Sequence, residues 1–339
     1  MTLTPSLRLA GLVFVAVALA CGSDLRAYLK LGSRVAIGVV QTKWEPNQLP
    51  VQYYVTNRNV AGVTADQLHA TLDRAFGTWA SVPTATIAGQ FVAFVSNEPG
   101  DNDNRSVIGF RSRPDLDNKV LGTTSFRLDD QTGRIIESDI LLNAAMNWSV
   151  AATGEPGRYD VESIALHEIG HLLGLGHSAL GETELASGGR SIRGKRTVMF
   201  PIAYPSGNIE DRRLKADDIA GISDVYPTPA FQTDTGAVSG RVTLNGTGVF
   251  GAHVTAFNLN TGDLVGGFSL NERGEFVVGG LAPGLYVVRA EPLDDVDVSA
   301  FFDPDSPVTI NFRPAYYERL VAVPAGGSSG SIEIKVPSK

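Results

Sequence analysis

The densest set of reactive side chains in the chain is His167-Glu168-Ile169-Gly170-His171-Leu172-Leu173-Gly174-Leu175-Gly176-His177. Two imidazoles four residues apart project from one face of a helix, within reach of a single metal ion. Glu168 lies one step around that face, where a carboxylate meets a water at the ion without ligating the ion itself. Gly174 takes backbone conformations that other residues avoid, so the chain leaves the helix there and swings His177 back as a third ligand. Three protein ligands leave one coordination position open, which is the arrangement of a catalytic rather than a structural zinc site. The chemistry this predicts is hydrolysis of an amide. The ion brings the pKa of water down toward about 7, Glu168 takes the proton as the water attacks a carbonyl, and the same carboxyl returns it to the leaving amine. A bare H-E-x-x-H arises by accident often enough to be only suggestive. Here three of the five histidines fall at the required positions, with the glutamate and the glycine in place.

Stepping outward, the elements that must position these groups are legible from periodicity. Thr64-Ala65-Asp66 opens a helix whose Leu68, Leu72, Ala75, Phe76 and Trp79 form one apolar stripe. Gln90 to Ser96 and Gly122 to Leu128 read as strands, the second ending in the turn Asp129-Asp130-Gln131-Thr132-Gly133. The helix of the two histidines runs from an N-cap at Asp160 to Leu173, and Gly174 stops it. A third helix starts near Ala216 and closes with Ile222, Val225 and Tyr226 before Pro227. Residues 229–235 read as a short polar connection. Beyond Gly236 only brief β-rich runs remain, separated by turn chemistry such as Asn260-Thr261-Gly262 and Asn271-Glu272-Arg273-Gly274, so a separate all-β sandwich is expected. Gly326 to Gly330 has a linker's composition, but the alternation in Ser331 to Val336 makes it a loop before a last strand.

With these residues in view, the extended motif resembles that of the metzincin metalloproteases, and Ser178 after the third histidine resembles the matrixin branch, which includes the matrix metalloproteases. Thr197-Val198-Met199-Phe200-Pro201 resembles the Met-turn of that family, and Leu214 to Ile222 resembles the start of its last catalytic-domain helix. Ala75 to Trp79 and Ser138 to Asn143 are similar as well, so the likeness spans about residues 35 to 228. It implies an α+β catalytic domain, a mixed twisted sheet with three main helices, acting as a zinc-dependent endopeptidase on extended protein or peptide substrates. It also implies that Met199 packs beneath one catalytic Zn2+, that the strand around Leu121 to Phe126, with Leu121 and Gly122 at the pocket, pairs with substrate, and that Pro201 to Tyr204 line the specificity pocket. Departures from the family are informative. His69 and His253 are the only further histidines, so a second, structural zinc is not expected, and His253 is expected to face solvent. Calcium has Asp129, Asp130 and Asp139 as candidate ligands. The segment Ala179 to Thr197, with Arg190, Arg193, Lys195 and Arg196, is longer than the family norm; beside the cleft it reads as mobile padding in preference to a determinant of access or substrate choice. Residues 236–339 resemble the carboxypeptidase regulatory-like, transthyretin-like β-sandwich, carried by Val238 to Val242, Gly251 to Ala256 and Gly279 to Tyr286, with an accessory role.

Length and composition set the remaining bounds. The 339 residues suit two folded units and a processed end, and 43% hydrophobic against 19% charged residues is ordinary for globular chains. A net charge of -8 with no basic block argues against nucleic acid. One cysteine, Cys21, excludes an intramolecular disulfide. It follows an unbroken apolar run, Ala10 to Ala20, that suits a signal peptide over residues 1–20, followed by a connector over 21–34. Ala18-Leu19-Ala20 fits ordinary signal cleavage, and the same stretch resembles a bacterial lipobox. The lipid-anchored reading is preferred because the sole cysteine stands where lipidation would use it, giving an exported, cell-envelope protein tethered to a membrane through Cys21. Cys21 to Asp24 also faintly resembles a cysteine switch, but the leader accounts for the thiol better. The rival to the enzyme reading is an adhesion or binding protein on an inactive metalloprotease-like scaffold. Retention of Glu168 favours the enzyme, since a pure zinc scaffold does not need that carboxylate.

Overall fold

A computed structural model describes residues 30–339 except 36–37, 60–61, 114–119, 187–188, 294–297 and 304. The expected signal peptide and Cys21 lie outside the described residues. The first half is built on a five-stranded sheet of β1 (Val51–Thr56), β2 (Gly89–Val95), β3 (Val107–Arg111), β4 (Gly122–Leu128) and β5 (Ile135–Asn143), in the order β2-β1-β3-β5-β4. Every pairing is parallel except β4 with β5, so one antiparallel strand closes this edge of a mixed sheet. The central strand β3 reads Val-Ile-Gly-Phe and is buried along those four residues, as a strand covered on both faces requires.

Two helices pack on this sheet, α1 (Ala65–Ala80) and α2 (Val161–Leu172), and share with it one core that includes Tyr53, Leu72, Phe76, Trp79, Ile108, Trp148 and Leu166. Both begin where the sequence predicts. Thr64 accepts from the Gln67 backbone N–H while the Gln67 side chain accepts from that of Thr64, a capping box. Asp160 accepts from the backbone and hydroxyl of Ser163 and is gripped by the Arg212 guanidinium at 2.6 and 2.9 Å. At the other end of α2 the carbonyls left without helical partners are met by aromatic donors: Trp44 Nε1 donates to Leu172 O and the Tyr226 hydroxyl to Leu173 O, each at 2.9 Å. Trp79 Nε1 donates likewise to Leu166 O at 2.9 Å. These bonds fix the axial position of the helix that carries His167 and His171.

The segment Ala179 to Thr197, expected as padding, carries regular structure in its described residues. It forms a hairpin of β6 (Gly181–Ala186) and β7 (Gly189–Lys195), held by a buried ion pair of Lys195 with Asp211 at 2.5 Å. Residues 229–235 also differ from expectation. After α3 (Ala216–Val225), a short helix α4 (Pro229–Asp234) buries Phe231 instead of running as a polar connection.

The second half is all β among the longer elements. One sheet holds β8 (Gly236–Leu244), a strand at Thr247–Gly248, β11 (Glu275–Leu281) and β13 (Ser328–Val336). The other holds β9 (His253–Asn258), β10 (Leu264–Phe268) and β12 (Gly284–Glu291) with two short strands. Val238, Phe276 and Ile332 of the first sheet and Val254, Tyr286 and Val288 of the second belong to one core. The last strand, β13, pairs in parallel with β8. Ala220 of α3 joins that core, and Gly280, at φ +70°, lies so close that a Cβ there would meet the Ala220 Cβ at 2.7 Å.

Candidate metal centre

His167 and His171 lie on one face of α2, and the chain turns back at Gly174, whose φ of +92° is the left-handed conformation predicted for it. The three imidazoles converge: His171 Nε2 is 3.1 Å from His167 Nε2 and 3.2 Å from His177 Nε2. Among the described residues this is the only group of three or more His, Cys, Asp or Glu side chains placed to share an ion. Each ring is oriented by its other nitrogen. His167 Nδ1 lies 2.7 Å from Val198 O, His171 Nδ1 2.8 Å from Leu175 O, and His177 Nδ1 2.9 Å from Ala300 O. A carbonyl oxygen only accepts, so in each ring Nδ1 is the donor and, in the neutral imidazole, Nε2 keeps its lone pair. Three lone pairs then face one another with no proton between them, an arrangement a cation resolves. Tetrahedral zinc at about 2.0–2.1 Å from each nitrogen separates its ligand atoms by roughly 3.3 Å, close to the spacings found. The residues present therefore fit a zinc ion.

Burial holds all three histidines in the neutral form that ligation needs. It pushes His167 well down, His171 down to about 3 and His177 down, in each case opposed by the bond to the carbonyl. Glu168 is buried too, and burial raises its carboxyl to about 7, against the lowering effect of a hydrogen bond from Thr124 Oγ1 at 2.7 Å. The Thr124 hydroxyl also lies 3.1 Å from the Glu168 carbonyl oxygen, so β4 is tied to α2 at the glutamate. Gly122 sits on the same carboxyl, where a Cβ would come within 2.8 Å of Oε1. This makes Gly122 a contact of Glu168 at the start of the sheet's free edge. Leu121 is half-buried against the core.

Met199 is fully buried beneath Gly170, the residue between the two helical histidines, and any side chain at Gly170 would collide with its sulfur. The turn that carries Met199 hangs on Asp218. That carboxylate accepts from Thr197 Oγ1 at 2.6 Å, from the backbone N–H of Val198 at 2.9 Å and of Met199 at 3.2 Å, and from Lys215 N at 2.9 Å. Pro201 and Tyr204 are half-buried beyond it, with the Lys195 ammonium 5.1 Å from the centre of the Tyr204 ring.

The calcium candidates do not converge. Asp129 accepts from Gln131 and Thr132 of its own turn, Asp130 from the Gln131 side chain, and Asp139 from the backbone N–H of Gly100 and Val107. His253 does not face solvent as expected. It is 3% exposed, with Nδ1 3.1 Å from Glu291 Oε1. The sequence does not mark the contacts that Thr124, Asp218 and Ala300 make at the site. Asp218 lies in a segment that suggested the family, but nothing local told that its carboxylate reaches the Met199 turn.

With this geometry in place, comparison with known proteins decides the family. Residues 43–227 match the family model described as Matrixin. The chain belongs to the matrixin family. Metalloendoproteinase 1-MMP of Arabidopsis thaliana is 29% identical over 217 residues, which cover 60% of this chain and 50% of that protein. Metalloendoproteinase 2-MMP of the same plant is 26% identical over 241 residues, 67% of this chain and 54% of that one. Matrilysin of Rattus norvegicus is 37% identical over a shorter stretch of 73 residues, 22% of each chain. The chain thus spans about half the length of the plant matrixins it matches. The matched region contains the histidine cluster, the β4 edge and the Met199 turn, and stops at the start of the residues leading to the β half.

Proposed function

We propose that this matrixin is a zinc-dependent endopeptidase in which His167, His171 and His177 hold the metal and Glu168 is the general base. The observation that carries the reading is the convergence of three Nε2 lone pairs beside a buried carboxyl that pairs with no cation among the described residues. Zinc, when bound, supplies Lewis-acid polarisation of the scissile carbonyl and lowers the pKa of water. Glu168, poised near neutrality by burial, takes the proton of the attacking water and delivers it to the leaving amine. Thr124 holds that carboxyl through Oε2, leaving Oε1 to exchange the proton. An extended substrate adds to the open edge of β4 by main-chain hydrogen bonds, past Leu121 and Gly122. The side chain following the cleaved bond lies toward Pro201 and Tyr204. The residues after Gly236 are taken as a carboxypeptidase regulatory-like module, and the chain as an exported envelope protein tethered through a lipidated Cys21, for which the mass of the mature N-terminus is the test.

The decisive assay is cleavage of an unstructured protein by the zinc-loaded chain, with a chelator and with Glu168→Gln as the two controls. Wild type is expected to cleave, the chelator to abolish cleavage, and Glu168→Gln to lower kcat by about 10²–10⁴-fold while zinc stays bound. Absence of cleavage by zinc-loaded wild type across varied protein substrates would instead leave the adhesion-scaffold reading.

A further inference from the structure

The three histidines are backed by different parts of the chain. Val198 and Leu175, whose carbonyls hold His167 and His171, belong to the Met199 turn and to the motif itself. Ala300, whose carbonyl holds His177, lies 123 residues away in the β half, on the single helical turn Val298–Ala300. That turn is firmly seated. Phe301 and Phe302 follow it at 2% and 0% exposure, in a cluster with Phe268 and Leu293 of the β half and Phe200, the residue after Met199. The Phe302 ring meets Phe268 edge-on at 5.2 Å, and the Phe301 ring meets that of His177 edge-on at 6.3 Å. A second tie reaches the same ligand through its neighbour. Buried Asp217 accepts from Ser178 Oγ at 2.5 Å and from the backbone N–H of Gly266 in β10 at 2.8 Å.

We propose that the β half is a working part of the metal site: the Ala300 carbonyl is the positioning group that fixes the His177 ring with Nδ1 protonated and Nε2 toward the ion. This rests on the zinc reading above and adds to it that metal affinity depends on how the β half is docked. The reason is physical. A ligating imidazole whose second nitrogen lacks an acceptor is free to rotate and to exchange tautomers, and losing such an outer partner typically weakens metal binding by about 10–100-fold. The carbonyls that hold two of the three ligands belong to the first half, and only the third is supplied by the β half.

The test uses the full chain, with zinc alone as ligand, measured by competition with a chromophoric chelator. Phe302→Ala unseats the turn at Val298–Ala300. Gly266→Leu changes no residue of the aromatic cluster but wedges the interface, since even a Cβ there would lie 2.8 Å from His253 Nε2 and 3.3 Å from the Leu180 side chain. Both are expected to weaken zinc binding by about 10–100-fold. Asn258→Ala, in the β half but away from this contact, is expected to leave zinc affinity unchanged. Histidine-ring nitrogen NMR of the zinc form separates positioning from general loosening. Wild type should show three protected Nδ1–H groups, and both interface variants should lose protection at His177 while His167 and His171 keep theirs. Unchanged affinity with all three groups protected in Phe302→Ala and Gly266→Leu would overturn the proposal and leave the zinc reading standing. Wild type that takes up no zinc would overturn both.

Discussion

The two halves of the molecule bury acidic side chains to different extents, and the first holds a set of them mainly on N–H and O–H groups. In the first half eight described carboxylates are less than 9% exposed: Asp160, Glu162 and Asp211 face Arg212, Arg74 and Lys195, while Glu137, Asp139, Glu168, Asp217 and Asp218 are held mainly by N–H and O–H groups. In the second half no described carboxylate is buried to that degree, and the most enclosed, Glu291, has His253 at 3.1 Å and Arg289 at 2.5 Å. The difference follows from what each half must hold still. The β half closes its turns with sheet ladders and Asx contacts. The first half carries its histidine site on irregular segments with no ladder of their own, and their backbone N–H groups need acceptors. Asp139 and Glu137 take those of Gly100, Val107 and Asn104, and Asp218 takes those of the Met199 turn. A carboxylate used this way is a clamp whose removal strands several donors at once.

The largest effect expected from this contrast is that of Asp218→Ala. It leaves the N–H groups of Val198, Met199 and Lys215 without their acceptor, and at about 1–3 kcal/mol for each buried unsatisfied group the loss should total about 4 kcal/mol. All three tryptophans, Trp44, Trp79 and Trp148, lie in the first half, so urea unfolding followed by tryptophan fluorescence reads that half selectively. Asp218→Asn keeps one acceptor oxygen and should recover about half of the loss. Smaller is the expected effect of Asn258→Ala in the β half. Its Oδ1 accepts from Asn260 and Thr261, and its Nδ2 donates to the Tyr286 hydroxyl at 2.8 Å. Loss of about 2 kcal/mol is expected, read by circular dichroism, with turnover unchanged. The comparison breaks if Asn258→Ala proves the more damaging of the two.

How much of this was legible in the sequence depended on range. The caps at Thr64 and Asp160, the stop at Gly174 and the placing of two histidines on one helix face follow from interactions within a few residues, and the residue types reveal them. The bond from Thr124 to Glu168 spans 44 residues and that of His177 to Ala300 spans 123. The second is made by a backbone carbonyl, which has no residue type to recognise. The hairpin at Gly181–Lys195 reads as padding because its composition is polar and glycine-rich, yet its closure depends on one buried partner, Asp211, that spacing does not reveal. His253 misleads for a related reason: a lone histidine in an alternating strand gives no sign of which face is covered, and here β10 and Glu291 cover it.

The smallest expected effect is also the most specific to the contrast, because Asp139 and the half-buried Glu291 respond oppositely to pH. Burial raises Asp139 from 3.8 to about 7, against its bonds from Val107 and Gly100 and with help from Glu137 and Asp103. A carboxyl whose folded pKa is raised gives stability that is fully present below its unfolded value and is lost as pH rises through the folded one. For Glu291, burial is outweighed by the hydrogen bond and charge of His253 and by Arg289, and its pKa lies below 4.5. Its contribution is present above the unfolded value and is lost as pH falls through the folded one. Unfolding curves of Asp139→Asn and wild type, both zinc-free, should therefore converge with rising pH, since the variant has no proton to lose. The gap should close by about 1 kcal/mol between about pH 6 and pH 8. Titration of the ligand histidines is common to both proteins and cancels in the difference. Glu291→Gln should do the reverse, differing least from wild type in acid and reaching its full penalty above the carboxylate range. Parallel curves for Asp139→Asn across that window would mean that the backbone bonds hold Asp139 ionised throughout, and the two halves would then bury their acids in the same state.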